Sequence, residues 1–454
     1  MAGFWRRIEE DLKKWRQSDT RKPLVLRGAR QTGKTTLVKK IGASFDTFVY
    51  LNLDEHNDWK LFDNSLNVRD LVQYIFLEKG VKKSGETLIF IDEIQNSANA
   101  VKMLRYFYEE MPELYVIGAG SLLEIMMDMN KISFPVGRIQ YLYLYPMTFE
   151  EFLCALGETE LIQFYHTVPV PEIAHDKLSK MFRLYMFVGG MPEAVSTYVK
   201  TKDLSESAHI YSDLMTAFKD DVGKYAHSRR EADIIRYVID SVPAQTPDRI
   251  SFANFGNSGF GSKDVGNALR TLERAMLLYL RYPVTSSELP IVPDMKLKPH
   301  LQFLDSGLLC ASVGIETMYF SDVPVSDVYN GKLAEQITGQ ELLASERPNE
   351  LTKPLFWTKE KKQSNAEVDF IRIYKGKLYP IEVKSGVTGR LRSLHSYINN
   401  SDCTAAIRLY SGTFSLETQK TPLVNGEGGK EFKLLNLPLY CAANINAYIE
   451  KFLQ

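Results

Sequence analysis

The sequence predicts an α/β protein built from several units, and three changes of pattern along the chain predict it. Residues 1–155 alternate short apolar runs with helical segments, as a parallel α/β sheet does. From residue 156 the strands stop and helical periodicity takes over. Residues 311–454 return to mixed strands and helices. At 454 residues the chain is too long for one ordinary core. The expected units are a parallel-sheet core (1–155), a helical lid or linker (156–228), a winged-helix unit (229–310) and a second α/β unit (311–454).

The elements of the first unit follow in order. "PLVLRG" (23–28) is a short apolar strand, and "TLVKKIG" (36–42) continues into a helix. "FVYLNLDE" (48–55) is a second strand. "LVQYIFLEKG" (71–80) is helical, with Leu71, Tyr74, Ile75 and Leu77 expected on one face. "TLIFIDEI" (87–94) is the near-continuous apolar run of a strand buried on both faces. "LYVIGAGS" (114–121) and "IQYLYLYPM" (139–147) complete the set.

Helical periodicity then runs over 177–200, broken where two glycines and a proline in "VGGMPEA" (188–194) force a turn. Residues 229–283 read as helix, short helix, helix, with "LLYLRYPV" and "HLQFLD" as the two strands of a wing. "RPNELTKP" (347–354) is a polar loop. In the last unit a helix, "GKLAEQITGQELLAS", precedes the strands "PLFWTKE", "EVDFIRIY" and "KLYPIEVK". A helix, "RLRSLHSYIN", and a strand, "TAAIRLYS", come after them.

Composition narrows the function. Hydrophobic residues make up 44% and charged residues 24%, an ordinary globular balance. The formal net charge of −1 gives the whole molecule no basic field, so any DNA contact must come from a local patch. Cys154, Cys310, Cys403 and Cys441 are scattered, which suggests neither a disulfide framework nor a zinc site and fits a reducing compartment. The start, "MAGFWRRIEEDLKKW", is a charged amphipathic helix rather than a signal peptide. No apolar run approaches the roughly 18 residues of a membrane span. A cytoplasmic protein without a membrane partner is expected.

"GARQTGKTT" supplies the first chemistry. Gly28, Ala29, Arg30, Gln31, Thr32, Gly33, Lys34, Thr35 and Thr36 fit the phosphate-loop pattern between a strand and a helix. Backbone N–H groups and the helix N-terminus would face phosphates, Lys34 would reach the β- and γ-phosphates, and Thr35 would hold Mg²⁺. Asp92, at the end of the strand in "LIFIDEIQ", would bind Mg²⁺ through water, and Glu93 would orient and activate the attacking water. A guanine-reading motif is absent, since "NKIS" at 130 lacks the aspartate, so ATP is expected. Ser121 either senses the γ-phosphate or caps the following helix. Arg138 is either an arginine finger, in cis or on a neighbouring subunit of a homo-oligomer, or one half of a surface ion pair.

These segments resemble the prokaryotic AAA-superfamily ATPases that carry a C-terminal conserved domain of uncharacterised function. "LRGARQTGKTTL", "IFIDEIQ", "GRIQYLYLYPMTFEEFL", "VGGMPEAV", "FLDSGLL" and "EVDFI…YPIEVKSG" match its pattern in order across nearly the whole chain. Ala119 departs from it, standing where relatives usually carry a hydroxyl residue. The resemblance implies ATP binding and a restriction-endonuclease-like C-terminal fold.

The last unit carries a second constellation. An acid on a helix (Glu335), an aspartate on one strand (Asp369) and Glu-x-Lys on the next (Glu382, Lys384) resemble the PD-(D/E)XK nucleases. Asp369 and Glu382 are expected to end adjacent strands and converge on one or two Mg²⁺ ions, with Glu335 completing the shell. Strand alternation puts Lys384 on the face of Glu382, where it could polarise a water or steady the phosphate. Such folds also persist as inactive binding modules. Lys263, Arg270 and Arg274, on the third helix of the winged-helix unit, are either a DNA-reading face or an ordinary solvated one. The expected function is an ATPase that couples nucleotide state to a DNA-binding or DNA-cleaving C-terminal domain. The alternative is an ATP-driven switch or protein-interaction module with an inactive nuclease-like scaffold.

Overall fold

Five short strands, β1 (Leu24–Arg27), β2 (Thr47–Asn52), β3 (Thr87–Asp92), β4 (Tyr115–Gly120) and β5 (Gln140–Tyr143), form an all-parallel sheet in the order β2-β3-β4-β1-β5. The structure is a computed structural model describing residues 3–63, 67–130, 133–315, 327–361, 364–387, 389–422 and 429–454. Side chains along β1 and β3 alternate between two cores. Val25, Ile89 and Ile91 pack on one face of the sheet, and Leu24, Leu26, Leu88 and Phe90 on the other. Coverage of both faces explains the unbroken apolar run of β3. The helix Val68–Glu78 buries Val68, Leu71, Val72 and Ile75, whereas Leu77 is 77% exposed. Six residues after Leu71 is well off the face that i+3, i+4 and i+7 define, so Leu77 does not join the stripe expected of it.

The helical region comprises Thr159–His166, His175–Val188, Pro192–Thr201 and Leu204–Tyr225. The break at "VGGMP" is set by close packing. The Met147 N–H donates to the Gly190 carbonyl at 2.6 Å, and a Cβ on Gly190 would lie 2.2 Å from the Met147 oxygen. The expected boundary at 155/156 falls inside the helix Phe149–Leu156, and that at 310/311 inside Ser306–Val313.

Next come the helices Arg229–Gln245 and Ser262–Arg274, then β6 (Leu278–Arg281), β7 (Pro283–Val284) and β8 (His300–Phe303). β6 and β8 pair antiparallel. "LLYLRYPV" is not one wing strand. It breaks at Tyr282, and β7 leaves the hairpin to join the C-terminal sheet beside Phe356 and Trp357. Pro283 lacks an N–H, so a short edge strand suits it.

The C-terminal region opens with the helix Asp327–Ala344, followed by β9 (Leu355–Lys361), β10 (Ser364–Tyr374) and β11 (Lys377–Val383). The helix Arg392–Asn399, β12 (Ala405–Tyr410), β13 (Ser415–Lys420), β14 (Glu431–Pro438) and the helix Ile445–Phe452 complete it. The sheet order is β13-β14-β12-β11-β10-β9-β7. β9, β10 and β11 form an antiparallel meander, and β12 lies parallel to β11 after the crossover helix. The expected helix–three strands–helix–strand order is present, with β13 and β14 added.

The helix Asp327–Ala344 ties the regions together. Gln336 bonds both the N–H and the carbonyl of Phe303, Gln340 accepts from the Ser306 N–H, and Glu341 accepts from the Phe149 N–H. The polar loop after it closes the edge of the first sheet, where the Pro348 carbonyl accepts the Tyr143 N–H at 2.7 Å. Among the described residues no helix is long and apolar enough to cross a membrane.

Candidate functional site

The phosphate loop lies at the carboxyl end of β1 and opens the helix Lys34–Gly42, whose N-cap is Gly33 with φ at 93°. A side chain would be strained there, which is why glycine precedes the lysine. Arg6 supports the loop from beneath. It is buried, its Nη1 donates to the Thr32 carbonyl at 2.9 Å and its Nη2 to the Tyr145 carbonyl at 2.6 Å, and it pairs with Glu151 at 3.1 Å. The pattern of the N-terminal segment gives no hint of this role.

Lys34 is buried and turns back on its own loop, donating to the carbonyls of Gly28 and Ala29 at 2.9 and 2.8 Å. Burial lowers its ammonium to about 8, against the pull of Glu93 and Asp92. The Thr35 hydroxyl donates to Asp92 Oδ2 at 2.6 Å, and the Tyr50 hydroxyl reaches the same oxygen at 3.3 Å. Glu93 adopts the left-handed region, φ 50°, strain of a kind stored at functional sites. Burial raises its carboxyl above the usual range, opposed by a hydrogen bond from Gln95 and the charge of Lys34.

Lys34, Thr35 and Glu93 line a cavity of about 800 Å³, which Pro192, Glu193 and Lys224 of the helical region also line. Ser121 also lines it. Arg30 of the loop makes an ion pair with Asp221, buried on the helix Leu204–Tyr225, and Lys224 holds the other oxygen of Asp221 at 2.8 Å. Arg138 is elsewhere. It precedes β5, at the entry end of the strands rather than the carboxyl end that carries the phosphate loop, and pairs with Glu109 at 2.8 Å. The surface ion pair is therefore the arrangement seen, and a finger acting in cis is not, because the strands run parallel and their entry ends face away from the loop.

The family model described as an AAA domain matches residues 20–153. These residues form an AAA-type P-loop domain. Two further models, each described as a domain of unknown function, match residues 179–319 and 330–426. An uncharacterized protein of Methanocaldococcus jannaschii is 21% identical over 353 residues, 73% of this chain and 69% of that one. A Walker-type ATPase of Pyrococcus abyssi is similar at 15% identity, covering 68% of this chain and 98% of its own, with a TM-score of 0.43. The Orc1 protein of Aeropyrum pernix in complex with DNA is similar at 12% identity, covering 69% and 93%, with a TM-score of 0.28.

The second constellation is assembled across regions. Asp369 is not at a strand end, as expected, but within β10 beside a bulge between Val368 and Ile371. The register that pairs Phe370 with Ile381 brings it alongside Glu382. Asp369 Oδ2 accepts the Val383 N–H at 2.7 Å, and Lys384 Nζ donates to Glu382 Oε1 at 2.6 Å. Burial raises the Asp369 carboxyl well above its usual range, with Glu382 and Glu335 adding to it, and burial also raises Glu382 against Lys384. Glu335 faces the hairpin instead, 3.0 Å from Arg281 Nη2 and 3.5 Å from His300 Nδ1. His300 Nε2 is 2.8 Å from Glu367, which Arg249 also approaches at 3.4 Å. Glu367 lies two residues before Asp369, and strand periodicity could have found it. Arg281 and His300 carry no local signal.

The metal expectation meets a mixed outcome. Glu382 Oε2 is buried with no hydrogen-bond partner, an oxygen free for a ligand. Yet among the described residues no three His, Cys, Asp or Glu side chains gather closely enough to hold a metal ion. As folded, Glu335, Asp369 and Glu382 do not form a ligand set, because each of the three already holds a donor of this chain.

Proposed function

We propose that the chain binds ATP with Mg²⁺ in the phosphate-loop cavity and hydrolyses it. The observation that carries this is the Thr35 hydroxyl set against Asp92, with Lys34 and Glu93 lining the same cavity as Thr35. A hydroxyl and a carboxylate in contact are the oxygen donors Mg²⁺ takes. Thr35 would hold the ion directly and Asp92 through water; when bound, the ion neutralises charge between the β- and γ-phosphates. Lys34 leaves its loop carbonyls for the phosphate oxygens, and its proton is retained there by their charge. Glu93, its basicity raised by burial, accepts the proton of the attacking water. The test is steady-state ATP hydrolysis. Lys34→Ala should lose binding and turnover, whereas Glu93→Gln should bind ATP and turn over at least about a hundredfold more slowly. Full turnover in Glu93→Gln would remove it from the role.

Nucleotide state is coupled, in this reading, to the rest of the chain through Arg30 and Asp221, which join the loop to the helical region. The output is DNA. The helix Ser262–Arg274 buries Val265, Ala268, Leu269 and Leu272 and exposes Lys263, Asn267, Arg270 and Arg274 as one stripe. The β6–β8 pair that follows it supports reading this region as a winged helix, and the helix, strand meander and crossover of the C-terminal region support reading that region as nuclease-like. The second reading is an ATP-driven switch or interaction module with an inactive scaffold. Salt-dependent DNA binding supports the first; ATP hydrolysis with no DNA binding at any salt supports the second.

A further inference from the structure

The turn that follows Glu93 is fixed from several sides. Ile94 packs against β4, where a Cβ on Gly118 would lie 2.8 Å from its Cδ1. The Asn96 amide donates to Asp54 Oδ1 at 2.7 Å, and the Trp59 indole donates to the Asn96 carbonyl at 3.1 Å. Gln95 stands between them in the turn Ile94–Asn96. It is 4% exposed and lines the phosphate-loop cavity together with Glu93. Its Nε2 donates to Glu93 Oε2.

The other end of this amide is unsatisfied. Gln95 Oε1 is buried with no donor. It is pressed against β4, since a Cβ on Gly120 would stand 1.9 Å from it. Burying an amide with half its bonding unmet is costly, and an apolar side chain would fill the same space without that cost. The bond to Glu93 is what a glutamine supplies here and a leucine or methionine would not. Its direction is set by chemistry, because a carboxylate only accepts and the amide must turn its N–H₂ edge toward it. Glu93 itself sits in the left-handed region, φ 50°, and a base must present one chosen oxygen to its water.

We infer that Gln95 is the positioning residue of Glu93, holding Oε2 so that Oε1 is left for the attacking water. The inference rests on the reading of Glu93 as the base of ATP hydrolysis. In that step the water oxygen bonds the γ-phosphorus, and the bond to the bridging oxygen breaks with its electron pair left on ADP. The water's proton passes to Oε1. Gln95 touches neither the water nor the phosphate and acts through Glu93 alone. Gly120, without a Cβ, gives the amide the room to stay in place.

The test is steady-state ATP hydrolysis by the full chain, with affinity measured separately by fluorescent-nucleotide titration. Gln95→Met fills the same space and removes the donor. It should lower kcat at least about tenfold and leave KM and affinity within about twofold. Glu93→Gln and the double variant Glu93→Gln/Gln95→Met should turn over equally, since a residue that acts through Glu93 has nothing to act on once the base is gone. Gly120→Ala is a second probe that leaves residue 95 unchanged. The flexible amide yields to the new Cβ before the backbone does, so the N–H₂ leaves Glu93 and kcat should fall as in Gln95→Met. Parental kcat in a folded Gln95→Met variant, or in Gly120→Ala where Gln95→Met does not fold, overturns the inference. So does a double variant slower than Glu93→Gln by the factor that Gln95→Met shows alone, or a loss of affinity as large as the loss of kcat. Loss of turnover in Glu93→Gln beside parental turnover in Gln95→Met overturns the inference alone. Full turnover in Glu93→Gln, or no hydrolysis by the parent, overturns the reading of Glu93 as the base and the inference with it.

Discussion

The hydroxyl of Thr35 donates to Oδ2 of Asp92 at 2.6 Å, joining the first turn of the phosphate-loop helix to the end of β3. The contact spans 57 positions of sequence and ties Asp92 to Thr35, which lines the cavity. Thr35→Ser should keep hydrolysis within a few fold, because the hydroxyl remains. Thr35→Ala and Asp92→Asn should each reduce Mg-dependent turnover at least about a hundredfold. ATP binding measured in chelator should change little in Thr35→Ala. Equal loss of binding with and without Mg²⁺ would show that Thr35 only shapes the loop.

Lys34 makes ATP binding dependent on pH. Burial holds its ammonium at about 8 in the free protein, below the roughly 10.4 of an exposed lysine. The phosphates need the charged form. Affinity should therefore be level below pH 8 and fall about tenfold per pH unit above it, as each binding event must first take up a proton. The stability effect has its own sign. Between pH 8 and the ordinary lysine value the unfolded chain holds more protons than the folded one, so folding gains as pH rises through that window. Lys34→Met should accordingly stabilise the nucleotide-free protein below pH 8, by about 3 kcal/mol at most. Fluorescent nucleotide titration from pH 6 to 10 and thermal melts check the two halves; an affinity that stays level to pH 10 would refute the first.

What the sequence revealed depended on how local each signal was. The phosphate loop is nine consecutive residues between a strand and a helix, and Asp92 and Glu93 sit at the end of an apolar strand, so the site was legible. Lys384 was legible for the same reason, since two positions along a strand share a face, and its ammonium lies 2.6 Å from Glu382. Arg281 and Glu335 are 54 positions apart and belong to different units, and no periodicity links them. Tyr282–Pro283 carried a signal that pattern reading passed over, because a proline in a continuous wing strand could not donate its ladder bond. Arg138 was legible only as a set of alternatives, because its place before β5 and its ion pair with Glu109 depend on sheet direction, which sequence does not print.

Glu341 predicts a pH-dependent stability. It is fully buried where three regions meet, and its Oε1 accepts the Phe149 N–H at 3.0 Å and the Tyr185 hydroxyl at 2.8 Å. Burial pushes its carboxyl up to about 8. Between the ordinary carboxylate value of about 4.3 and pH 8 the folded protein therefore holds a proton that the unfolded chain has lost, so stability falls as pH rises through that window. Gln in its place keeps the Oε1 acceptor and cannot ionise. Glu341→Gln should match the parent in thermal melts near pH 5 and melt several degrees higher at pH 9. Parallel melting curves for the two proteins from pH 5 to 9 would mean that Glu341 stays charged in the fold.

The exposed stripe of the helix Ser262–Arg274 makes the DNA reading quantitative. Arg270 bonds Asn267 at 2.8 Å, and Lys263 and Arg274 lie on the same exposed face. Each phosphate neutralised by such a side chain adds about 0.9 to the slope of log affinity against log salt. Replacing Lys263, Arg270 and Arg274 with Ala should lower that slope by nearly 3 and weaken binding similarly for unrelated duplex sequences, because phosphate contacts carry no base information. Fluorescence anisotropy over a salt series measures both. A parent protein that binds with a steep slope, and a triple variant with the same slope, would move the DNA contact off this helix while keeping the protein's DNA function. A parent that does not bind at any salt would leave ATP turnover driving a protein partner instead. In that case the Arg30–Asp221 pair, which joins the nucleotide loop to the helical region, becomes the place to look for the output.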